Sequence, residues 1–144
     1  MSLRKRSQSR RGSSVLEAAL VFPILLSLSF GCVEFGHYFF IKHTLQAAAR
    51  EGARAAVTSA SADANTLVDA AIKTTMNNAG IIDANYSRTV QNTSNANIVA
   101  GTQTAGTAIV IRVQCTWGTV GVRPLGVIGS GKLVIGTTTM RKEG

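Results

Sequence analysis

The sequence predicts an α+β protein. We expect a long N-terminal transmembrane helix, followed by a small domain with one amphipathic helix packed on a three- to four-stranded antiparallel sheet. Three observations support this. Residues 18–33 contain no charge, helix-forming residues continue to about Val57, and an alternation of period two begins after Gly80. An apolar helical run is typical of a membrane span, and alternation is typical of strands with one buried face.

The first twelve residues form a basic leader. They hold five of the fifteen Lys and Arg residues and none of the seven acidic ones, so ten minus seven leaves +3 for the remainder. Basic residues beside an apolar span stay on the cytoplasmic side. We therefore expect a cytoplasmic leader (1–12) and an extracytoplasmic C-terminal domain (58–144). The charge gives no reason to expect nucleic acid as a partner, because stacking aromatics do not accompany the basic residues.

One helix is predicted over residues 13–57, which at 1.5 Å per residue is about 65 Å long. A bilayer core is only about 30 Å thick, so the later part of the helix must stand outside the membrane. We place the span at about 18–41. Tyr38, Phe39 and Phe40 would then form an aromatic belt at the outer interface, and Pro23 would bend the helix inside the membrane.

The predicted outer domain begins with a polar break, in which Ser61 or Asp63 could cap the next helix. Apolar residues then recur at helical spacing to about Ala79. Strands are expected over 85–91, 108–117 and 132–140, and the Gly-rich stretch 118–131 reads as a connection.

A possible processing site precedes the apolar run. Gly12 ends the leader, and Glu17 follows five residues later at the head of the helix. A prepilin peptidase cuts after such a glycine, whose missing side chain lets the backbone approach the protease closely. Cleavage would make Ser13 the new N-terminus. Glu17, costly to bury alone, could pair with the Ser13 amine of a neighbouring subunit and set an axial register. The alternative is an ordinary signal anchor with a chance glutamate.

Glu34 and His37 bring charge and polarity to the outer end of the predicted span, three residues apart on one helix face. Glu34 could form a local hydrogen bond or reach outwards to water, or it could contact a partner helix. Metal binding by His37 and His43 is not expected, because they lie on different sides of the helix and no third ligand is near.

A run of small residues follows at 47–56. Ala48 and Gly52 leave a groove that another helix could approach closely. Arg50, Glu51 and Arg54 would be exposed, with Glu51 and Arg54 paired. The groove could face either the protein's own domain or a neighbouring subunit. No catalytic arrangement, phosphate-binding loop or cofactor motif is recognisable, so we expect neither an enzyme nor a cofactor.

The residues together resemble the TadE-like pseudopilins, which are minor pilin-like proteins of the tight-adherence (Tad, Flp) pilus. The similarity rests on a leader ending in RRG, on Glu17, on E-F-G at 34–36, on A-R-E-G-A-R at 49–54 and on a C-terminal LVIGTTTMRKE. The resemblance implies a pilin-like fold, insertion in the bacterial inner membrane and a role in assembling an adhesive, type IV-like pilus. The implied partners are a prepilin peptidase, other minor pilin-like proteins, the major Flp pilin, and the assembly platform with its ATPase.

Two other functions are compatible with the sequence. The chain could be a single-pass membrane protein whose outer domain binds an envelope component or ligand. It could also be a secreted module released by signal-peptide cleavage after Ala49, at the A-x-A pattern of residues 47–49.

Overall fold

A computed structural model describes residues 11–61 and 63–143, with only the backbone described for 11–13. The leader residues 1–10 lie outside this range. The described elements, in chain order, are α1 (Arg11–Thr58), α2 (Ala64–Asn78), a 3-10 turn (Asp83–Asn85), β1 (Tyr86–Gln91), a second 3-10 turn (Ala100–Thr102), β2 (Ala108–Thr116), α3 (Trp117–Val120) and β3 (Leu133–Arg141). The predicted fold class is confirmed: a long apolar helix precedes a small domain with a helix and a three-stranded antiparallel sheet.

Helix α1 consists of two parts with different surroundings. From residue 14 to residue 33 nearly every side chain is exposed, and these residues belong to a helix that is long and apolar enough to cross a membrane. From Glu34 to Val57 one face is buried against the rest of the chain. The helix is continuous through Pro23. The same helix therefore serves as an exposed apolar stem and as a core element of the domain.

The sheet has the order β1-β2-β3, with both neighbouring pairs antiparallel. In β2 the residues alternate strictly between buried and half-buried positions. The buried face predicted from the sequence lies on the core, which contains Ile109, Ile111, Val113 and Cys115. Helices α1 and α2 cover this face, and α2 contributes Val68, Ile72 and Met76. The opposite face of the sheet carries the half-buried residues.

Strand β3 lies directly against the backbone of α1 at Gly136. A β-carbon at this position would be 2.4 Å from the carbonyl carbon and oxygen of Leu45. Real side chains do not approach a backbone that closely. The glycine at position 136 therefore permits the contact between the strand and the helix.

Side chains of α1 also occupy the outer edge of β3. The Gln46 side chain donates from Nε2 to the carbonyl oxygen of Thr137 at 2.9 Å and accepts from the Thr137 N–H at 3.3 Å. Lys42 Nζ donates to the carbonyl oxygen of Ile135 at 2.5 Å. The Gln46 amide thus takes the place that a neighbouring strand would occupy.

The two ends of the domain meet at the C-terminal end of α1. Lys142 is buried, and its Nζ donates to the carbonyl oxygens of Ala56, at 3.3 Å, and Ser59. A cation is favourable there because the last carbonyls of a helix carry partial negative charge. Asp63, one of the two predicted capping residues, occupies the N-cap position of α2, but its side chain forms no capping hydrogen bond. Its backbone N–H donates to Ser61 Oγ at 3.1 Å.

Candidate functional site on the long helix

The predicted processing site lies at the beginning of α1. Gly12 and Ser13 belong to its first turn, and Glu17 follows one turn later with its side chain exposed. The apolar side chains around Glu17 are exposed as well, including Leu16 and Leu20. This end of the helix is therefore free to contact a bilayer or another helix.

Glu34 is the one acidic side chain among the fully buried residues that the structure describes, with 0% of its surface exposed. Its carboxylate accepts a hydrogen bond from the backbone N–H of Ile128 at 2.7 Å and another from the N–H of Leu125 at 3.2 Å. Both donors belong to the connection between α3 and β3, residues 121–132, which we call the clasp loop. A single layer of loop covers the carboxylate and satisfies its charge with backbone donors.

This pairing differs from both possibilities that the sequence left open. Glu34 neither bonds within its own helix nor reaches water, and its partner is not a second helix. The physical reason is that a buried carboxylate needs donors, and the clasp loop offers unpaired N–H groups at a fixed distance.

His37 fixes the other end of the same connection. Its Nε2 lies 3.0 Å from the carbonyl oxygen of Val120, and because a carbonyl can only accept, Nε2 carries the proton. The His37 ring also packs on the buried indole of Trp117, with the ring centroids 5.7 Å apart. Tyr38 meets the same indole edge-on at 5.4 Å. One helix turn of α1 therefore holds both α3 and the clasp loop.

Trp117 leaves no room for a side chain at Gly121. A β-carbon there would lie 2.5 Å from Cδ2 and Cε2 of the indole. The backbone N–H of Gly121 donates to the Trp117 carbonyl at 2.7 Å, which closes the short helix α3 and directs the chain back towards α1. The glycine thus determines where the clasp loop begins.

The small-residue run faces the protein's own domain. Ala48, Ala49, Gly52 and Ala53 are buried. A β-carbon on Gly52 would lie 2.8 Å from Cγ1 and Cδ1 of Ile72 in α2 and 3.3 Å from Cγ2 of Ile111 in β2. The groove that the sequence predicted is therefore occupied by α2 and β2.

The charged residues of this run point away from the groove. Arg50, Glu51 and Arg54 are all exposed. The ion pairs found in the described part of the chain do not include Glu51 with Arg54. These three residues form an exposed charged stripe on α1 above the clasp.

A separate ion cluster joins α2 to the start of β1. Arg88 bonds Asp69 at 2.7 Å through Nε and Asp83 at 2.5 Å through Nη1. The hydrogen bond from Arg88 holds the pKa of Asp83 below its ordinary value, and the two carboxylates raise the pKa of Arg88. No local pattern predicted this cluster, since Asp83 and Asp69 are 5 and 19 positions away from Arg88 in the chain. Within residues 14–61 and 63–143, no three potential metal ligands lie together.

Helix α1 has an exposed apolar stem and an outer half built into an α+β domain, which indicates a protein anchored to a membrane by its N-terminal helix. Residues 12–54 match the family model of the TadE-like proteins, which confirms the resemblance over this segment. The match covers 43 of the 144 residues, among them the leader glycine, Glu17, Glu34 and most of the small-residue run. No curated protein and no solved structure matches the chain.

Proposed function

We propose that this protein is a pseudopilin, or minor pilin, that takes part in assembling a tight-adherence (Flp) pilus for surface adhesion. The observation that carries the proposal is the family match over residues 12–54, because this segment holds the processing motif and the complete stem. The protein would reside in the inner membrane, with its N-terminus in the cytoplasm and its domain outside, and it could pass into the pilus.

The exposed stem supports this proposal. A helix that leaves its apolar surface uncovered from residue 14 to residue 33 can lie in lipid before assembly and against other stems afterwards. Glu17 lies at the cytoplasmic end of this surface, where burying a lone carboxylate against another helix is costly. After cleavage, the amine of Ser13 on a neighbouring subunit would offset that cost and define the axial position of the two helices.

The proposed partners follow from these steps. A prepilin peptidase would remove the leader after Gly12. Other minor pilin-like proteins and the major Flp pilin would pack on the exposed stem, and the assembly platform with its ATPase would lift the subunits from the membrane. Adhesion and secretion would depend on the finished pilus. We propose no catalytic role for the protein itself.

The packing argues against a module released after Ala49. Cleavage there would remove Ile41, Leu45 and Ala48 from the buried core and would also remove Glu34 from the clasp loop. The domain therefore needs the outer half of α1. A single-pass protein that binds an envelope component keeps this half, and it differs from a pseudopilin in retaining the leader.

Two substitutions test the proposal in a piliated host. Gly12→Ala should block cleavage, and Glu17→Ala should allow cleavage but prevent assembly, so both should abolish pili and surface adhesion. Glu51→Ala is the matched control, because it removes an exposed carboxylate from the same helix outside the stem. N-terminal sequencing should give Ser13 as the first residue of the mature wild-type protein. Normal piliation of the Glu17→Ala strain would contradict the mechanism.

A further inference from the structure

The clasp loop has an unusually apolar surface. Val122, Leu125 and Val127 are 51%, 42% and 61% exposed, and Arg123 is the one charged residue between positions 118 and 131. Large exposed apolar side chains close together indicate a contact surface. What this surface contacts can be inferred from where the loop lies.

The loop lies alongside the upper end of the stem. Its backbone binds Glu34, and Leu125 reaches further down, because its Cδ1 is 4.0 Å from the place where a β-carbon of Gly31 would stand. Gly31 belongs to the apolar run and is almost one helix turn below Glu34. The loop surface is therefore continuous with the exposed surface of the stem.

The remaining faces of α1 at this height are also apolar. Phe35, Phe39 and Phe40 are all exposed, although the buried Glu34 and the half-buried His37 lie close to them in sequence. The loop therefore covers the polar face of the helix and presents Val127 and Val122 instead. Helix and loop together form an apolar belt at the level of residues 31–40.

The length of the stem makes this belt significant. The charge-free run of residues 18–33 is about 24 Å long at 1.5 Å per residue. A bilayer core is about 30 Å thick, so this run alone is too short to cross it. A water-exposed carboxylate at position 34 would end the apolar surface at residue 33. By enclosing Glu34, the clasp loop extends the apolar surface upwards.

We propose that the clasp loop is inserted into the outer interface of the lipid bilayer. Val122, Leu125 and Val127 would lie among the upper acyl chains, and Arg123 would bind a lipid phosphate. Gly126, with φ at +65°, forms the turn between Leu125 and Val127. The domain would thus be attached to the membrane at two points, the stem and the loop. The inference rests on the membrane span and does not depend on a role in a pilus.

Site-specific fluorescence in lipid vesicles tests this insertion. The full chain, with Cys32→Ala to remove the exposed native thiol, is reconstituted in phosphatidylethanolamine and phosphatidylglycerol. An environment-sensitive dye is attached to a cysteine at Val127 or, separately, at Val122. Quenchers are a nitroxide near the lipid headgroup, a nitroxide near the chain end, and iodide in the water. Thr139→Cys on exposed β3 is the water-facing control, and Leu25→Cys in the stem is the lipid-facing control.

We expect the dye at 127 and at 122 to lose most of its emission to the headgroup nitroxide and little to iodide. The dye at 139 should show the reverse, and the dye at 25 should respond most to the chain-end nitroxide. Quenching at 127 by iodide alone would overturn the proposal, as would shielding from all three quenchers, which would mean that protein covers the loop. A dye at 25 that no lipid quencher reaches would overturn both the span and the loop insertion. The separate Glu17→Ala test of piliation decides the proposed function independently.

Discussion

The carboxylate of Glu34 accepts a hydrogen bond from the backbone N–H of Ile128 at 2.7 Å, although the two residues are 94 positions apart in the chain. The bond joins the top of the stem to the last connection of the sheet. The bond therefore links the top of the stem to the clasp loop, which continues directly into β3.

Replacing Glu34 with Leu should destabilise the domain by about 2–4 kcal/mol, because two buried N–H groups would lose their acceptor. Glu34→Gln keeps one acceptor oxygen and should cost about half as much. The single Trp, Trp117, is buried beside His37 and reports on this region directly. Thermal unfolding in detergent micelles, followed by Trp117 fluorescence, measures the change.

Glu51→Leu is the control for this experiment, since it removes an exposed carboxylate from the same helix. It should change the stability by no more than about 0.5 kcal/mol. Equal effects of Glu34→Leu and Glu51→Leu would show that the bonds to the clasp loop contribute nothing to stability.

Gly52→Ala should destabilise the protein although alanine favours helices. The new methyl group would meet Ile72 at 2.8 Å, and overpacking of this kind costs about 1–3 kcal/mol. Gly36→Ala in the same helix is the control: its β-carbon would have no neighbour within 4 Å, so the substitution should stabilise by about 0.5–1 kcal/mol.

A double-mutant cycle with Ile72→Val separates crowding from helix propensity. Ile72→Val removes Cδ1, one of the two Ile72 atoms that the new methyl group would meet, so the effects of Gly52→Ala and Ile72→Val should not add. Additive effects would rule out the contact between α1 and α2 as the cause.

The Arg88 cluster should make stability depend on acid pH. Because the folded protein holds the pKa of Asp83 below its ordinary value of about 3.9, the contribution of Asp83 is complete above that value. It is lost as the pH falls through the lowered pKa. Arg88→Met should raise the pKa of Asp83, as seen by carboxyl NMR titration, and should move acid unfolding to higher pH. Arg50→Met, at an exposed helix position, should do neither.

Cys115 should react slowly in the folded protein. Burial raises the pKa of its thiol to about 11, so at neutral pH almost no thiolate is present and a reagent has little access. Mass spectrometry should find alkylation of Cys115 only after denaturation. In a Cys32→Ala, Cys115→Ala background, a cysteine at the half-buried neighbour Thr116 should react in the native state. Rapid native labelling of Cys115 would contradict the packing of β2.

The raised pKa of the Cys115 thiol also makes the stability of the fold depend on alkaline pH. Between the ordinary thiol pKa of about 8.5 and the folded value, the unfolded chain binds fewer protons than the folded one. Cys115 therefore contributes its full stability below that range and loses it as the pH rises towards about 11.

The sequence allowed the elements to be predicted because their signals are local. The alternation in β2 and the apolar face of α2 depend on residues at most four positions apart, and the structure has both. The small-residue run likewise indicated a close contact at Gly52. It could not indicate which element makes the contact, because a missing side chain leaves room for any partner of suitable shape.

The partner of Glu34 could not be predicted for a different reason. The donors are backbone N–H groups, which all residues except proline possess. The identities of Leu125 and Ile128 therefore do not indicate that these residues bind a carboxylate. The available signals were indirect. A lone carboxylate in an apolar helix requires donors, and the Gly-rich connection at 118–131 offers backbone groups that no regular strand or helix uses.

The amide of Gln46 has a further consequence for contacts between copies of the chain. A strand edge that is already bonded by a side chain cannot receive a foreign strand without first giving up those bonds. At Thr137 and Ile135, β3 is occupied in this way, whereas β1 borders the sheet on the opposite side. A neighbouring strand would therefore meet occupied backbone groups on both sides of the sheet: the Gln46 amide bonds β3 on the side that carries the stem, and the N–H of Ile98 bonds the Val90 carbonyl oxygen of β1 on the other.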